Sequence, residues 1–487
     1  MMKKIYVLFF LTMFSVCATA QHWTVTEGAK VPGYGYKDPP SVDVEYIGTD
    51  ESGIYLNRAI RKLGGIFGSG DIKRDYELTR YGDQKNVLAV AKIPFNKELQ
   101  PLGGNLCGDE VVMASVRTTE TSMTLVAQHY DKLTLELKGE EKKVYEIPIP
   151  SGCEGNFVVR SSREGDMAAI LMQVYSKESG SVMHLVVVDR KMELLWDMPM
   201  EDIHLLKDFL LTEEGEVVTF GTDGEQCEMH VLNGENDLKQ TCSAEGGIDL
   251  ELIGYSKKCV LVIGKNAERT GIFGMAHDMK KNVTMISSME IPRDAIINML
   301  CSDKEKHITN FILPEYTYVR GFDYDEKGAS AVMSSVTHVT GDYNYYLQSY
   351  LLMARVNTMG EVEWIRAAPR FTKLSLSGKL FSRKATRMHF NEVICRNGMT
   401  YVLTPERPVC LDPQAKLKKY SVYYSINTAV AAAYMHAIDE EGNVSNISQP
   451  LPKNFWMLGG LHYTTKDHYD QVLIGINSLM ILKWVIE

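Results

Sequence analysis

Cationic and phenolic side chains crowd one stretch of this sequence. Residues 366–419 hold 12 Lys+Arg against 3 Asp+Glu, a net of +9. The remainder, leaving out residues 1–20, holds 38 against 59, a net of −21. Arg370, Lys373, Lys379, Arg383, Lys384, Arg387, Lys416, Lys418 and Lys419 supply most of the local excess. Tyr343, Tyr345, Tyr346, Tyr420, Tyr423 and Tyr424 flank it. Cations beside exposed rings suit an anionic glycan, an acidic peptide or an anionic lipid headgroup. The plainer account is that the tyrosines belong to packed strands and the lysines solvate long loops.

Other chemistry-bearing patterns point less far. Asp323-Tyr324-Asp325-Glu326-Lys327-Gly328 starts like a calcium loop, but Lys327 and Ser334 stand at its fifth and twelfth positions, where ligands are needed, so it reads as a hairpin turn. His462, Asp467, His468 and Asp470 form the densest His/Asp cluster, and a solvated turn accounts for it. His184, His230, His277 and His436 recur at one position of a repeat, which is the mark of packing. Three glycosylation sequons, at Asn282, Asn443 and Asn446, carry no meaning in a bacterial host. Gly-x-Ser-x-Gly, His-Glu-x-x-His and phosphate-loop motifs are all missing, so no nucleophile is nominated. Carboxylates are too numerous for a glycosidase pair to be chosen. The sequence names no catalytic residue, no metal ligand and no cofactor.

Placing these residues requires the elements that carry them. The chain has 487 residues, is 45% hydrophobic and 23% charged, with 38 Gly and 16 Pro, which excludes a disordered, collagenous or small disulfide-framed protein. Lys3 and Lys4, the apolar run Ile5 to Cys17, and Ala18-Thr19-Ala20 read as an export signal covering residues 1–20. A lipid anchor at Cys17 is the alternative, disfavoured by Val16. The apolar run is too short to span a bilayer and no later segment offers 18 uninterrupted apolar residues, so an exported chain without a membrane span is expected, in the periplasm, at the cell surface or secreted. The acidic balance does not suit nucleic acid. The eight cysteines beyond the signal are scattered and include no Cys-x-x-Cys. Only Cys227 and Cys242 are pairable, because a hairpin turning on Asn233-Gly234-Glu235-Asn236 sets them opposite each other, and a disulfide there depends on local geometry.

Short strand-like runs such as Phe157 to Ser161, Met167 to Tyr175 and His184 to Val188 recur from about residue 43 onward, separated by Gly, Asn and Asp turns, so the fold class is all-β. Met-rich strands lead into turns near 189, 233, 278, 357 and 439, with looser copies near 83 and 138. Pro94, Pro148, Pro199, Pro292, Pro369 and Pro452 trail these turns, as expected at the ends of edge strands. Turns closed by Gly53, Gly165, Gly215, Gly328 and Gly398 precede them, with glycine expected in the left-handed conformation. Each module thus reads as four strands, a to d, and modules repeated every 45 to 80 residues are propeller blades. Residues 457–487 supply three more strands, and the segment around Trp23 to Thr26 is the natural fourth. The expectation is one β-propeller domain over residues 21–487, with eight blades favoured and seven the alternative.

Asp189 to Trp196 and Asn357 to Trp364 share one interval. Gly360-Glu361-Val362-Glu363-Trp364 resembles the Gly-x-x-x-Trp half of the repeat in eight-bladed quinoprotein-like propellers. The resemblance implies blades packed through buried Trp. It implies no quinone, since no adjacent-Cys pair is present. The chain as a whole resembles exported bacterial propeller proteins of uncharacterised function. The intervals ending at Asn357 and Asp439 are each roughly 30 residues longer than the others, and the surplus at 293–314, 337–344, 370–388 and 405–427 belongs to connections that emerge on one face over blades six and seven. The sequence therefore points to a non-catalytic binding or scaffolding propeller of the cell envelope or exterior, its partner an anionic glycan or an envelope protein. The competing reading is an enzyme acting on an extracellular polymer from the propeller funnel.

Overall fold

A computed structural model describes residues 23–32, 43–62, 73–82, 86–93, 98–176, 180–201, 203–299, 313–314, 317–335, 337–339, 345–375, 392–396, 398–406, 432–450, 455–465, 468–475 and 478–486. These residues form eight antiparallel sheets, and the chain is a β-propeller. Blade one comprises strands Asp43–Asp50, Gly53–Lys62, Lys73–Tyr81 and Val87–Ile93, from the innermost strand a to the outermost strand d. Blades two to five follow in the same a-b-c-d order, with inner strands Leu99–Cys107, Glu154–Ser161, Asp208–Leu211 and Gly247–Ser256. Blade six begins at Thr317–Tyr324 and blade seven at Glu392–Arg396. The eighth sheet joins Phe455–Thr465, His468–Gly475 and Ser478–Ile486 to Trp23–Pro32, which lies antiparallel on the last strand from Trp23 opposite Ile486 to Pro32 opposite Ser478.

The apolar core lies between neighbouring sheets. Ile170, Met172, Val186 and Val188 of blade three meet Val112, Val116, Met123 and Leu125 of blade two, all fully buried. The same strands turn Leu185 and Val187 toward blade four, against Phe209, Leu211 and Val217. Strands sandwiched on both faces in this way are apolar almost throughout, which is why Cys259–Asn266 and Gly271–Asp278 are buried along their whole length.

The two tryptophans spaced alike from their turns do the same work in different blades. Trp196, in strand d of blade three, lies against Gly234 in the second turn of blade four, and its indole N–H donates to the Gly215 carbonyl at 3.1 Å. Trp364, in strand d of blade six, lies against Gly442 in the corresponding turn of blade seven. Gly234 and Gly442 have φ of +88° and +78°, and a Cβ on them would stand 2.6 and 2.8 Å from the tryptophan Cβ. Conformation and space both demand glycine there.

Two sequence expectations need correction. Gly328 is absent from the positive-φ glycines; the turn is built by Asp325 Oδ1, which accepts the N–H groups of Lys327 and Gly328, and glycine is needed because a Cβ would lie 2.4 Å from the Val356 carbonyl oxygen. Pro369 does not end its strand. Val362–Ser375 runs through it, with Pro369 opposite Tyr350 at a register shift, an allowed place for proline on an outer strand.

Removal of residues 23–32 should lower the melting temperature by more than about 5 °C, because it bares the edge of Ser478–Ile486; an unchanged melt would show that this pairing does not hold the ring. Gly442→Ala should cost about 1–3 kcal/mol in chemical denaturation, from a left-handed non-glycine residue pressed against Trp364.

Candidate functional site

Blade six departs from the four-strand plan at one end. Strand c spans Tyr345–Asn357 and strand d Val362–Ser375, and the short strand Thr337–Val339 resumes the line of strand b after Ser335. Thr337 to Val339 pair with Leu347 to Tyr345, while Tyr345 to Gln348 pair on their other side with Ser375 to Thr372. A three-stranded ribbon thus continues past the blade at the end where strands b and d leave it. Part of what the sequence suggested as loop is strand, in keeping with its Tyr-Tyr-Leu and Phe-Thr-Lys-Leu runs.

The connection from blade five is anchored at the root of this ribbon. It opens as the helix Arg293–Met299, whose Ile296 is fully buried together with Leu313, Tyr350, Leu352 and Ile365. In blade seven, strand b ends at Glu406, opposite Ala432, before the residue 407–431 connection.

Of the residues singled out for ligand binding, Tyr345 and Tyr346 open strand c of blade six, and Arg370 and Lys373 lie in the prolonged part of strand d. Tyr345 stands opposite Ser375, and Lys373 opposite Leu347, two register steps away. Tyr343, Arg383, Lys384, Arg387, Lys418, Tyr423 and Tyr424 lie outside the described residues.

A second group of functional side chains escaped the sequence reading. Inner strands present one unpaired edge to the propeller axis, and carboxylates of neighbouring blades serve that edge. Glu45 of blade one accepts the Gly104 N–H of blade two at 3.1 Å. Glu251 of blade five accepts the Val319 N–H of blade six at 3.4 Å, and Asp323 of blade six accepts the Cys395 N–H of blade seven at 2.7 Å. Val319 flanks a register shift in its own strand, where a backbone group is released from the ladder, and Gly104 follows the shift between Pro101 and Gly103. Elsewhere Arg160 and Asp208 join blades three and four at 2.8 Å, and the Lys207 ammonium donates to the Leu250 carbonyl at 2.6 Å.

Arg163 crosses the ring. It sits in the first turn of blade three, yet its guanidinium lies 3.0 Å from Asp323 and donates to the carbonyls of Tyr324 at 3.2 Å and Cys395 at 2.5 Å, in blades six and seven. Its neighbour Glu164 donates its backbone N–H to Glu213 of blade four at 3.1 Å. Burial raises the carboxyls of Glu45 and Glu251, against the hydrogen bonds and, at Glu251, the charge of Lys207. Burial also raises Asp323 to about 6, despite the opposing charge of Arg163. Behind this contact Arg355, 1% exposed, is held by Asp325 at 2.7 Å and Glu363 at 3.1 Å.

The remaining candidates separate. Asp470 is buried and accepts the Tyr46 hydroxyl of blade one, whereas His468 is exposed and Asp467 lies outside the described residues. Among the described residues no three His, Cys, Asp or Glu side chains gather as a metal site. The recurring histidines differ in their partners: His184 meets the Tyr145 hydroxyl at 3.1 Å, fully buried His230 bridges Glu228 at 3.0 Å and Asp237 at 2.8 Å, and fully buried His277 meets Thr284 at 2.9 Å. Cys227 and Cys242 face each other across strands c and d of blade four, both as free thiols.

No protein-family model matches the sequence, and no curated protein matches it. Solved structures similar to it include the WD40 domain of SCAP from fission yeast, at TM-score 0.37 and 8% identity over 95% of this chain and 98% of that one. The β-propeller domain of the trilobed protease from Pyrococcus furiosus gives 0.37 and 8% over 81% and 97%. The polysaccharide lyase Uly1 gives 0.35 and 9% over 84% and 91%. The architecture rests on the sheet order of the chain itself. No helix of the described residues is long and apolar enough to cross a membrane.

Because Asp323 titrates higher in the fold than its ordinary 3.8, the folded protein takes up its proton first on acidification. The resulting stabilisation is complete below pH about 4 and is lost as pH rises through about 6. Unfolding free energies measured at pH 4 and pH 7 should therefore differ between the parent and Asp323→Asn, the parent losing more on going to pH 7 by on the order of 3 kcal/mol. Parallel profiles would remove Asp323 from this role.

Proposed function

We propose that this chain is a non-catalytic binding or scaffolding propeller, exported to the cell envelope or exterior, that recognises an anionic glycan, acidic peptide or headgroup through the enlarged connections of blades six and seven. One observation carries the reading. The prolonged strands of blade six contain Tyr345, Tyr346, Arg370 and Lys373, beside and within the segment that carries +9 in an otherwise acidic chain. Ring stability does not call for this prolongation, since blades two to five manage with four short strands. An acidic body bearing one basic sector orients an approaching polyanion toward that sector.

Exposed charge pairs are screened beyond about 8 Å at 0.15 M ionic strength, so the association should weaken as salt rises. The test is binding to sulfated and uronate glycans, an oligoglutamate peptide and anionic vesicles by the parent, by Arg370→Glu/Lys373→Glu and by Arg383→Glu/Lys384→Glu/Arg387→Glu. The parent should bind at least one probe in a salt-dependent way, and each variant should bind it at least tenfold more weakly, about 1.4 kcal/mol. Binding that ignores salt or survives both reversals, or a parent that binds none of the probes, would overturn the reading.

A further inference from the structure

Blade four holds two thiols whose surroundings set them apart from the other described cysteines. Cys227 in strand c (Gln226–Leu232) and Cys242 in strand d (Asp237–Ser243) are directly opposed in the ladder. Opposed residues of antiparallel strands stand about 4.5–5.5 Å apart at Cα, inside the range of about 4.4–6.8 Å that a disulfide spans. His277 and Thr284 of blade five are among the groups that act on Cys242.

Accessibility assigns different roles to the two sulfurs. Cys227 is fully buried, whereas Cys242 is half-buried on the outermost strand and is the more exposed of the two. The adjacent Cys227, helped by His277 and Thr284, holds Cys242 below the usual thiol range, and Cys242 together with burial pushes Cys227 up. Burial pushes up Cys107, Cys259 and Cys395 as well. His277 is itself fully buried, with Nδ1 on the Thr284 hydroxyl and Nε2 without a hydrogen-bond partner. Asp223, in the turn before strand c, is the acidic group acting on Cys227.

We propose that Cys227 and Cys242 form a thiol–disulfide exchange site, with Cys242 attacking a small-molecule or protein disulfide and Cys227 resolving the product. The proposal does not depend on the anionic-ligand reading. The Cys242 thiolate forms a bond to one sulfur of the incoming disulfide, whose S–S bond breaks and releases a thiolate that takes a proton. Cys227 then loses its proton, attacks the Cys242 sulfur and expels the second thiol. Two electrons and two protons pass from the cysteine pair to the incoming disulfide, leaving strands c and d of blade four covalently joined. An external dithiol reverses the sequence.

Native protein would be incubated with oxidised glutathione, quenched by alkylation and digested with trypsin, which places Cys227 in a peptide of residues 208–239 and Cys242 in one of residues 240–257. The parent should yield these two peptides linked to each other, with two glutathione thiols released per chain. Cys227→Ser should stop at a glutathione adduct on Cys242. An ordinary thiol slows roughly a hundredfold between pH 8 and pH 6 as its thiolate is lost. Linkage in the parent should slow less than tenfold, and His277→Gln should bring back the steep fall. Thr284→Val, expected to act in the same direction, serves if His277→Gln fails to fold. A lasting glutathione adduct on Cys242 of the parent, linkage seen only in urea, or the ordinary pH slope in the parent would each overturn the proposal.

Discussion

An inner strand of a propeller is paired on one side only, and its other edge of N–H and C=O groups faces the axis, where each group needs a partner. Glu45, Glu251 and Asp323 meet that need by reaching from one blade to a backbone amide of the next. The arrangement has a price in solvation, visible in the raised carboxyls, and it is met because a carboxylate can take an amide proton that no neighbouring strand is close enough to accept. Apolar packing between sheets is non-directional and would tolerate small rotations of one blade against another. Amide-to-carboxylate contacts are directional and fix the angle.

Arg163 adds a constraint of a different kind, because it skips the intervening blades. Its guanidinium satisfies two carbonyls and one carboxylate belonging to blades six and seven from a turn in blade three. Five donors in a planar fork make arginine suited to such a convergence, and a lysine could not reproduce it. It makes this contact from the first-turn end of the blades, where Glu164 also donates its N–H to Glu213, while the prolonged strands of blade six stand at the other end. One end of the propeller is thus bridged across the ring by a side chain, and the other carries the prolonged strands of blade six.

Much of the fold was legible because propeller blades repeat short local signals. The turn residues, the prolines after outer strands and the tryptophans at matched intervals each report on a few neighbouring positions, and the four-strand grouping follows from their order. Gly328 and Pro369 were misread because one residue type serves several backbone purposes: space rather than φ explains the first, and a register shift on an outer strand admits the second. The inner carboxylates and Arg163 were not legible. Their partners are distant in sequence, and the position of an accepted amide at or just beyond a register shift, as at Val319 and Gly104, leaves no mark in composition. The basic, tyrosine-rich sector was visible as charge, although its continuation of strands b, c and d into a ribbon was not.

The strand Trp23–Pro32 pairs with residues 478–486, so it finds its partner only after residues 33–477 have been made. Loop closure grows only logarithmically with length, so the thermodynamic penalty for joining such distant segments is modest. The kinetic consequence is larger, since pairings of this separation form late. Through synthesis the seven earlier sheets would exist as an open arc with two bare ends, the geometry most prone to pair with another molecule's edge. The final pairing acts as a clasp, and the interval before it closes is when the nascent protein most needs protection from its own copies.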